Sequence, residues 1–589
     1  MPNKLNVIFC WHMHQPAYYD SYSEQYQLPW TYLHGIKDYA DMAAHLEEVP
    51  KARAVVNFAP TLLEQLDDYV AQIQAFLHDA TPIRDPLLAA LTSHPAHAPF
   101  LNQQPVTESS EIEPENQNSQ SENQQHYIKR ARLNLIEQCL RANQERMIQR
   151  FKPYQELAEL ADSLKQNPKV VTYLDEQYII DLVMWYHLAW LGETVRRQEP
   201  VVKALIKKGN GFDDSDRRQL LEIIWKLLSS IVPRYKALAA RGQVELSVTP
   251  YAHPIMPLLL DAFAAREALP DIDLSGVSCY PDGKERVRWH MREGIKTFEK
   301  HFGFTPHGCW PSEGSLSEIT VRLMEEFDIR WVASGSSVWQ NSMKKARQED
   351  QSLHRPYCLP KSAVRCFFRD DNLSDLIGFE YSKWHADDAV ANLVHHLENI
   401  ARSAQETGAK VVSIILDGEN AWEYYPENAY YFLRTLYQKL SHHPEIELTT
   451  FSNCLDSGVT ELPTLVAGSW VYGTFSTWIG ERDKNRGWEM LIEAKHVFDR
   501  VVPRLEPAQQ KEAERQLAIC EGSDWCWWFG DYNPGAAVND FDRLYRRHLR
   551  HLYRILGETP PDYLDEAFTH GGGDPATGGV MRKGQENGA

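Results

Sequence analysis

Seven short apolar runs, most of them followed by a helical pattern, are what most constrain the fold of this chain. They are Asn6–Trp11, Ala54–Asn57, Glu245–Val248, Gly308–Trp310, Arg330–Ala333, Arg365–Phe368 and Val411–Leu416. Such runs, rich in β-branched and aromatic residues, read as buried strands, and strands alternating with helices form a parallel sheet. The expected fold class is therefore α/β, and a sheet that closes would give a seven-stranded barrel. In barrels of this kind chemistry sits at the carboxyl ends of the strands. Here those ends carry His12, Pro250, Glu313, Arg369 and Asp417.

A chain of 589 residues exceeds one ordinary core, so two or three units are expected. The barrel is placed over 1–430. It is interrupted by a Gln/Asn/Ser-rich loop at 102–126 and by a helical insertion at 127–240. Within the insertion Tyr178, Leu182, Trp185 and Leu188 share one helical face. A mostly helical domain that completes the site is expected over 431–567, and a disordered polar tail over 568–589.

The net charge of −20 leaves no basic surplus to neutralise phosphates, which excludes a nucleic-acid or anionic-membrane partner. The first apolar stretch is too short for a signal peptide, and no run of about 18 apolar residues would span a bilayer. Nine scattered cysteines without a CxxC pair suit a reducing cytoplasm. Oligomeric state is not legible.

Two acidic motifs carry the chemistry. GCWPSEGS, Gly308 to Ser315, presents Glu313 three residues after Trp310, and ILDGENAWEYY, Ile415 to Tyr425, presents Asp417 ahead of Trp422. Paired carboxyl groups walled by aromatic rings are what cleavage of a sugar–sugar bond requires. Glu313 also reads as a helix-capping acid, and Glu419 competes with Asp417 as the second acid. His12 and His14, two apart on a strand, suit a metal ion, sugar hydroxyls or structure equally, with His253 as a further ligand. Glu245 is a carboxylate inside a strand, which calls for a partner or a ligand, and a site-lining role is expected. Arg369 in FFRDD serves either hydroxyls or an Arg–Asp pair. Trp470 and the cluster EGSDWCWWFGD, with Asp524 and Trp525, read as core or as a sugar wall with one polar hook.

In order, HQP (His14–Pro16), GQVELSVTPYAHP (Gly242–Pro254), WPSEGS, LDGENAWEYY and EGSDWCWWFGD resemble glycoside hydrolase family 57, the α-glucan-active enzymes of amylase and amylopullulanase type. The resemblance covers nearly the whole chain. It implies an incomplete (β/α)7 barrel with a helical C-terminal domain. It implies Glu313 as nucleophile and Asp417 as acid/base. It also implies a substrate-binding set of His12, His14, Glu245, His253, Trp310, Arg369, Trp422, Trp470, Asp524 and Trp525. No metal or cofactor is implied, and the partner is an α-glucan such as glycogen, starch or maltodextrin. The wording of the motifs is closest to the amylopullulanase-like branch. The expected reaction is retaining hydrolysis of α-1,4 bonds, with α-1,6 cleavage, glucanotransfer and branching open to the same acids. Outside the family, a metal-dependent hydrolase or deacetylase and an inactive glucan-binding protein remain as further readings.

Overall fold

The fold is taken from a computed structural model, which describes residues 4–92, 129–166, 168–348 and 350–573. The loop expected at 102–126 lies outside the described residues. All seven runs are strands: β1 (Leu5–Met13), β2 (Ala54–Phe58), β3 (Val244–Val248), β4 (Gly308–Cys309), β5 (Trp331–Ser334), β6 (Arg365–Phe368) and β7 (Val411–Asp417). They lie in the order β7-β1-β2-β3-β4-β5-β6, every pair parallel.

The sheet curls but does not close by a strand ladder. Between β6 and β7 there is a single bridge, Arg369 to Ser413, where the Asp370 N–H donates to the Ser413 carbonyl at 2.8 Å. The Arg369 Nε donates to the Ile415 carbonyl at 2.7 Å and seals the seam with a side chain. The result is an incomplete (β/α)7 barrel. β4 is only two residues long and tightly placed. A Cβ on Gly308 would lie 1.9 Å from the Trp331 ring, so glycine is required there.

Alternation along the strands sorts the side chains. Ile8, Cys10, Val55, Ala333, Phe367 and Ile415 form a core inside the barrel. Val7, Phe9, Trp11 and Val56 belong to the larger outer core with the helices. Those helices include α1 (Pro60–Asp79), α2 (Asp214–Ala240), α3 (Gly283–Phe302) and α4 (Ala386–Thr407). Each begins or ends beside a strand, as parallel crossovers require. The helix Glu176–Trp190 carries the four residues expected on one face, but Ile179, Val183 and Met184 are buried too. It is enclosed on all sides rather than amphipathic.

After β7 come α5 (Pro507–Cys520), the short α6 (Asp524–Trp528) and α7 (Gly535–Ile555). The start of the stretch expected as a loose tail is held in place. Phe568 packs on Phe529 at 4.8 Å, and the Gly572 and Gly573 N–H groups donate to the Asp531 and Asn533 carbonyls. From residue 574 the tail lies outside the described residues. Among the described residues no helix is long and apolar enough to cross a membrane.

Candidate active site

The carboxyl ends of the strands open into a cavity of about 880 Å3, within the range of ligand sites. Glu313 sits on a single tight turn after β4, in a left-handed conformation with φ 57°. A non-glycine residue there costs on the order of 1 kcal/mol, so its surroundings must hold it. Trp470 does so from both sides. Its N–H donates to the Glu313 carbonyl and its Nε1 to Oε2, each at 3.1 Å. Oε1 lies 3.4 Å from the Ser523 hydroxyl and 3.9 Å from His253 Nδ1. Burial, then the neighbouring Asp417 and Asp524, push the Glu313 carboxyl up to about 8.

Asp417 is the last residue of β7, in register with His12 of β1. Its Oδ2 accepts from Asn420 Nδ2 at 2.7 Å. Burial pushes the carboxyl up to about 6, against the pull of Asn420, His14 and Arg369. Glu419 is also buried. Its Oε1 accepts from the His14 N–H and from Gln15 Nε2, and desolvation drives it well above the carboxylate range. It is held from behind by the β1 turn, whereas Asp417 stands at the strand end.

The three histidines meet. His14 Nε2 bonds to Asp524 Oδ1 at 2.7 Å, and although burial opposes its charge, Asp524 raises its pKa. Burial instead lowers His12 to about 3 and His253 well below the usual range. A ring nitrogen from each lies within 4.8 Å of the others, close enough to suggest an ion site. The rings, however, are nearly parallel. His14 stacks face to face on His253 with centroids 3.8 Å apart, and His12 Nε2 meets His253 Nε2 at 3.1 Å. Lone pairs lie in the ring plane, so stacked rings cannot aim theirs at one point. The arrangement is that of a ring stack and a hydrogen bond, not a coordination shell.

Of the residues singled out in the sequence, Glu313, Asp417, His12, His14, His253, Arg369, Trp470 and Asp524 line the cavity. Arg369 does so with its donors engaged, on Asp371 and Asp375 at 2.7 and 2.8 Å. Four residues do not line it. Glu245 is the second residue of β3, near the opposite end of the barrel, about 10 Å of strand from Val248. It accepts from Trp331 Nε1 and Ser452 and plugs the barrel floor. Trp310 is wholly buried beneath Trp470. Trp422 packs on Trp11 and Tyr425 behind the Asp417 turn, donating to the Gly418 carbonyl at 2.8 Å. Trp525 faces α7, against Tyr545 and His548. For Trp422 and Trp525 a neighbour takes the exposed place: Tyr424 beside Trp422, and Trp527 and Trp528 beside Trp525. Consecutive aromatic residues in sequence give no sign of which ring points outward. Asp371, Asn420 and Ser523 lie inside the motifs FFRDD, ILDGENAWEYY and EGSDWCWWFGD, Asn57 ends an apolar run, and Asp375 lies in no motif.

The chain matches the model of glycosyl hydrolase family 57 over residues 8–464. A curated relative, a 1,4-alpha-glucan branching enzyme of Thermococcus kodakarensis, is 21% identical over 413 residues. The match spans 57% of this chain and 57% of that enzyme. The crystal structure of that archaeon's branching enzyme superposes with a TM-score of 0.55 at 17% identity, covering 94% of this chain and 90% of that one. The α-amylase AmyC of Thermotoga maritima gives 0.53 at 14% identity, covering 96% of both chains. A branching enzyme of Pyrococcus horikoshii gives 0.54 at 17% identity, covering 94% of this chain and 89% of its own. At these identities the structural likeness speaks for the fold, and the family rests on the match that runs through β1, Glu313 and Asp417 to beyond β7: the chain belongs to glycosyl hydrolase family 57.

Proposed function

We propose that this chain cleaves α-glucosidic bonds of α-glucans by double displacement, with Glu313 as nucleophile and Asp417 as acid and then base. One observation carries the reading: two largely buried carboxyl groups at the carboxyl ends of β4 and β7, raised to about 8 and about 6, face one aromatic-walled cavity. Between those values the pair holds a single proton, the number the reaction needs. The larger upward shift falls on Glu313, whereas the sequence led us to expect the raised acid to be Asp417. Substrate reverses the preference. The glycosidic oxygen accepts from Asp417, and the electron-poor anomeric carbon favours an ionised Glu313.

In the first step the Glu313 carboxylate bonds to the anomeric carbon, and the C–O bond breaks as Asp417 protonates the leaving oxygen. In the second, the Asp417 carboxylate takes a proton from the acceptor hydroxyl, whose oxygen displaces Glu313. Two inversions retain the configuration. His14, held by Asp524, offers a donor to sugar hydroxyls, while Trp470, Trp527 and Trp528 provide stacking faces. We also propose that residues 431–567 act as a helical domain completing the site, since Ser523, Asp524 and Trp528 come from it. Nine free cysteines suit a cytoplasmic setting, with glycogen or maltodextrins as substrate.

Water is the acceptor in the first reading. A sugar acceptor is the second, favoured by the branching-enzyme names of the curated relative and of two similar structures. Maltoheptaose incubated with the protein separates them. Shorter products alone mean hydrolysis, longer ones mean transfer, and new α-1,6 signals by proton NMR with amylose mean branching. Trapping with a 5-fluoroglycosyl fluoride followed by peptide mapping should label Glu313. A label elsewhere would overturn its assignment.

A further inference from the structure

Behind Glu313 runs an unbroken chain of buried polar groups. Ser523 Oγ lies 2.8 Å from His253 Nδ1. His253 Nε2 lies 3.1 Å from His12 Nε2, and His12 Nδ1 lies 2.7 Å from Asn57 Oδ1. Asn57 is fixed in turn: its Oδ1 also accepts from the Thr249 hydroxyl at 2.7 Å, and its Nδ2 donates to the Ser247 hydroxyl at 3.1 Å. Strand register builds this layer, because His12 pairs with Asn57 and Asn57 with Ser247 around the barrel. Every member is buried, so its hydrogen bonds must be met within the protein.

Both imidazoles are neutral, so each carries one hydrogen and one lone pair. The tautomers are therefore coupled. With the Asn57 carbonyl facing His12, the His12 hydrogen sits on Nδ1 and its Nε2 is bare. His253 must then carry its hydrogen on Nε2 and donate it to His12, which leaves His253 Nδ1 bare. The Ser523 hydroxyl has one hydrogen and two claimants, His253 at 2.8 Å and Glu313 at 3.4 Å. The shorter bond takes it.

We propose that Asn57, His12, His253 and Ser523 form a tautomer chain in which Ser523 offers Glu313 a lone pair, not a hydrogen, and so holds that carboxyl in its protonated form in the empty site. The elevated Glu313 pKa agrees with this polarity. Ser523 and His253 are thus positioning residues for the nucleophile's charge, and the catalytic meaning rests on the nucleophile reading given above.

Asp417 from β7, Asp524 from α6, His14 after β1 and His253 after β3 face Glu313, and Trp470 donates to it. A Ser523→Ala variant leaves all of them in place, so the direction of its effect reports the hydrogen-bond polarity. The measurement is the protonated-carboxyl stretch of the resting protein, followed against pH by difference infrared spectroscopy and assigned by its loss in Glu313→Gln. It needs neither substrate nor turnover, so the polarity is tested whether or not Glu313 proves to be the nucleophile. Ser523→Ala should move the midpoint to lower pH by about one unit, a tenfold loss of proton affinity. Ser523→Thr, which keeps the hydroxyl, should restore it. A shift to higher pH would mean that Ser523 donates to the carboxylate, and an unchanged midpoint would mean that it is uncoupled. Either result overturns the proposal. His253→Phe is the second variant: releasing the Ser523 hydrogen toward Glu313 should also lower the midpoint, and a rise would count against the chain.

Discussion

At the scale of single residues the site is a compromise between stability and chemistry. Glu313 is buried, left-handed in φ, and raised to about 8. In the unfolded chain the same carboxyl ionises in the ordinary range near 4.5. The folded protein therefore keeps a proton that the unfolded chain releases, and stability falls as pH rises from about 4.5 to about 8. Glu313→Gln lacks this term. It should abolish turnover yet be more stable than the parent, by about 1–3 kcal/mol near neutral pH and by less at pH 5, as measured by urea denaturation. Asn420 works in the opposite direction on Asp417, since its amide stabilises the carboxylate. Asn420→Ala should move the acidic limb of the kcat/KM profile to higher pH and leave the alkaline limb nearly in place. A limb that stays or moves down would remove Asn420 from the acid's environment. That Glu313 and Asp417 face the cavity was legible from the sequence because each follows an apolar run. Their proton balance was not, because it depends on groups such as Ser523 and Asn57 that only folding brings near.

At the scale of elements, what matters is how the segment 521–528 reaches the barrel. Glu521 is fully enclosed and accepts from Arg286 Nε and Nη2, from His290 and from the Tyr280 hydroxyl. Burial alone would raise its pKa, but Arg286 and His290 bring it down to about 2. This cluster ties α5 to α3, and the Pro254–Gly522 bridge then sets Ser523 and Asp524 beside the histidines. Glu521→Gln would strand a buried guanidinium and should cost about 3–5 kcal/mol. The native pair's contribution holds above the ordinary carboxylate range and fades as pH falls toward 2, so the deficit of the variant should shrink in acid. Equal stability of the two proteins at neutral pH would refute the anchoring role. The strands were legible as elements, since a buried parallel sheet writes itself as apolar runs. The tryptophans were legible only as a class. Trp310, Trp422 and Trp525 are packed inside, while Trp470, Trp527 and Trp528 face the cavity, and hydrophobicity alone does not separate a stacking face from a core ring. Glu245 misled for a related reason: strand alternation puts it on the inner side, but its position along the strand puts it at the floor.

At the scale of the molecule, the barrel supplies the two acids proposed to react and the late helices supply part of their surroundings. Register around β7, β1, β2 and β3 aligns Asp417, His12, Asn57 and Ser247 in one layer, and the seam between β6 and β7 is finished by Arg369 rather than by a ladder. Contacts between His14 and Asp524, 510 positions apart, and between Glu313 and Ser523, 210 apart, then join the two ends of the chain across the cavity. A protein ending at residue 464, the limit of the family match, would keep both acids but lose Trp470, Ser523 and Asp524. It should show no turnover even where circular dichroism finds it folded, and measurable activity would mean that the late helices are dispensable. The span of the His14–Asp524 contact also orders events during synthesis. A ribosome adding about 5–20 residues per second needs on the order of a minute to make this chain. His14 is made 510 positions before its partner Asp524, and Glu313 210 positions before Ser523, so each waits for a partner not yet translated. The surroundings of both acids are thus completed only after the acids have been made, and a chain ended before residue 523 carries them without Ser523 and Asp524.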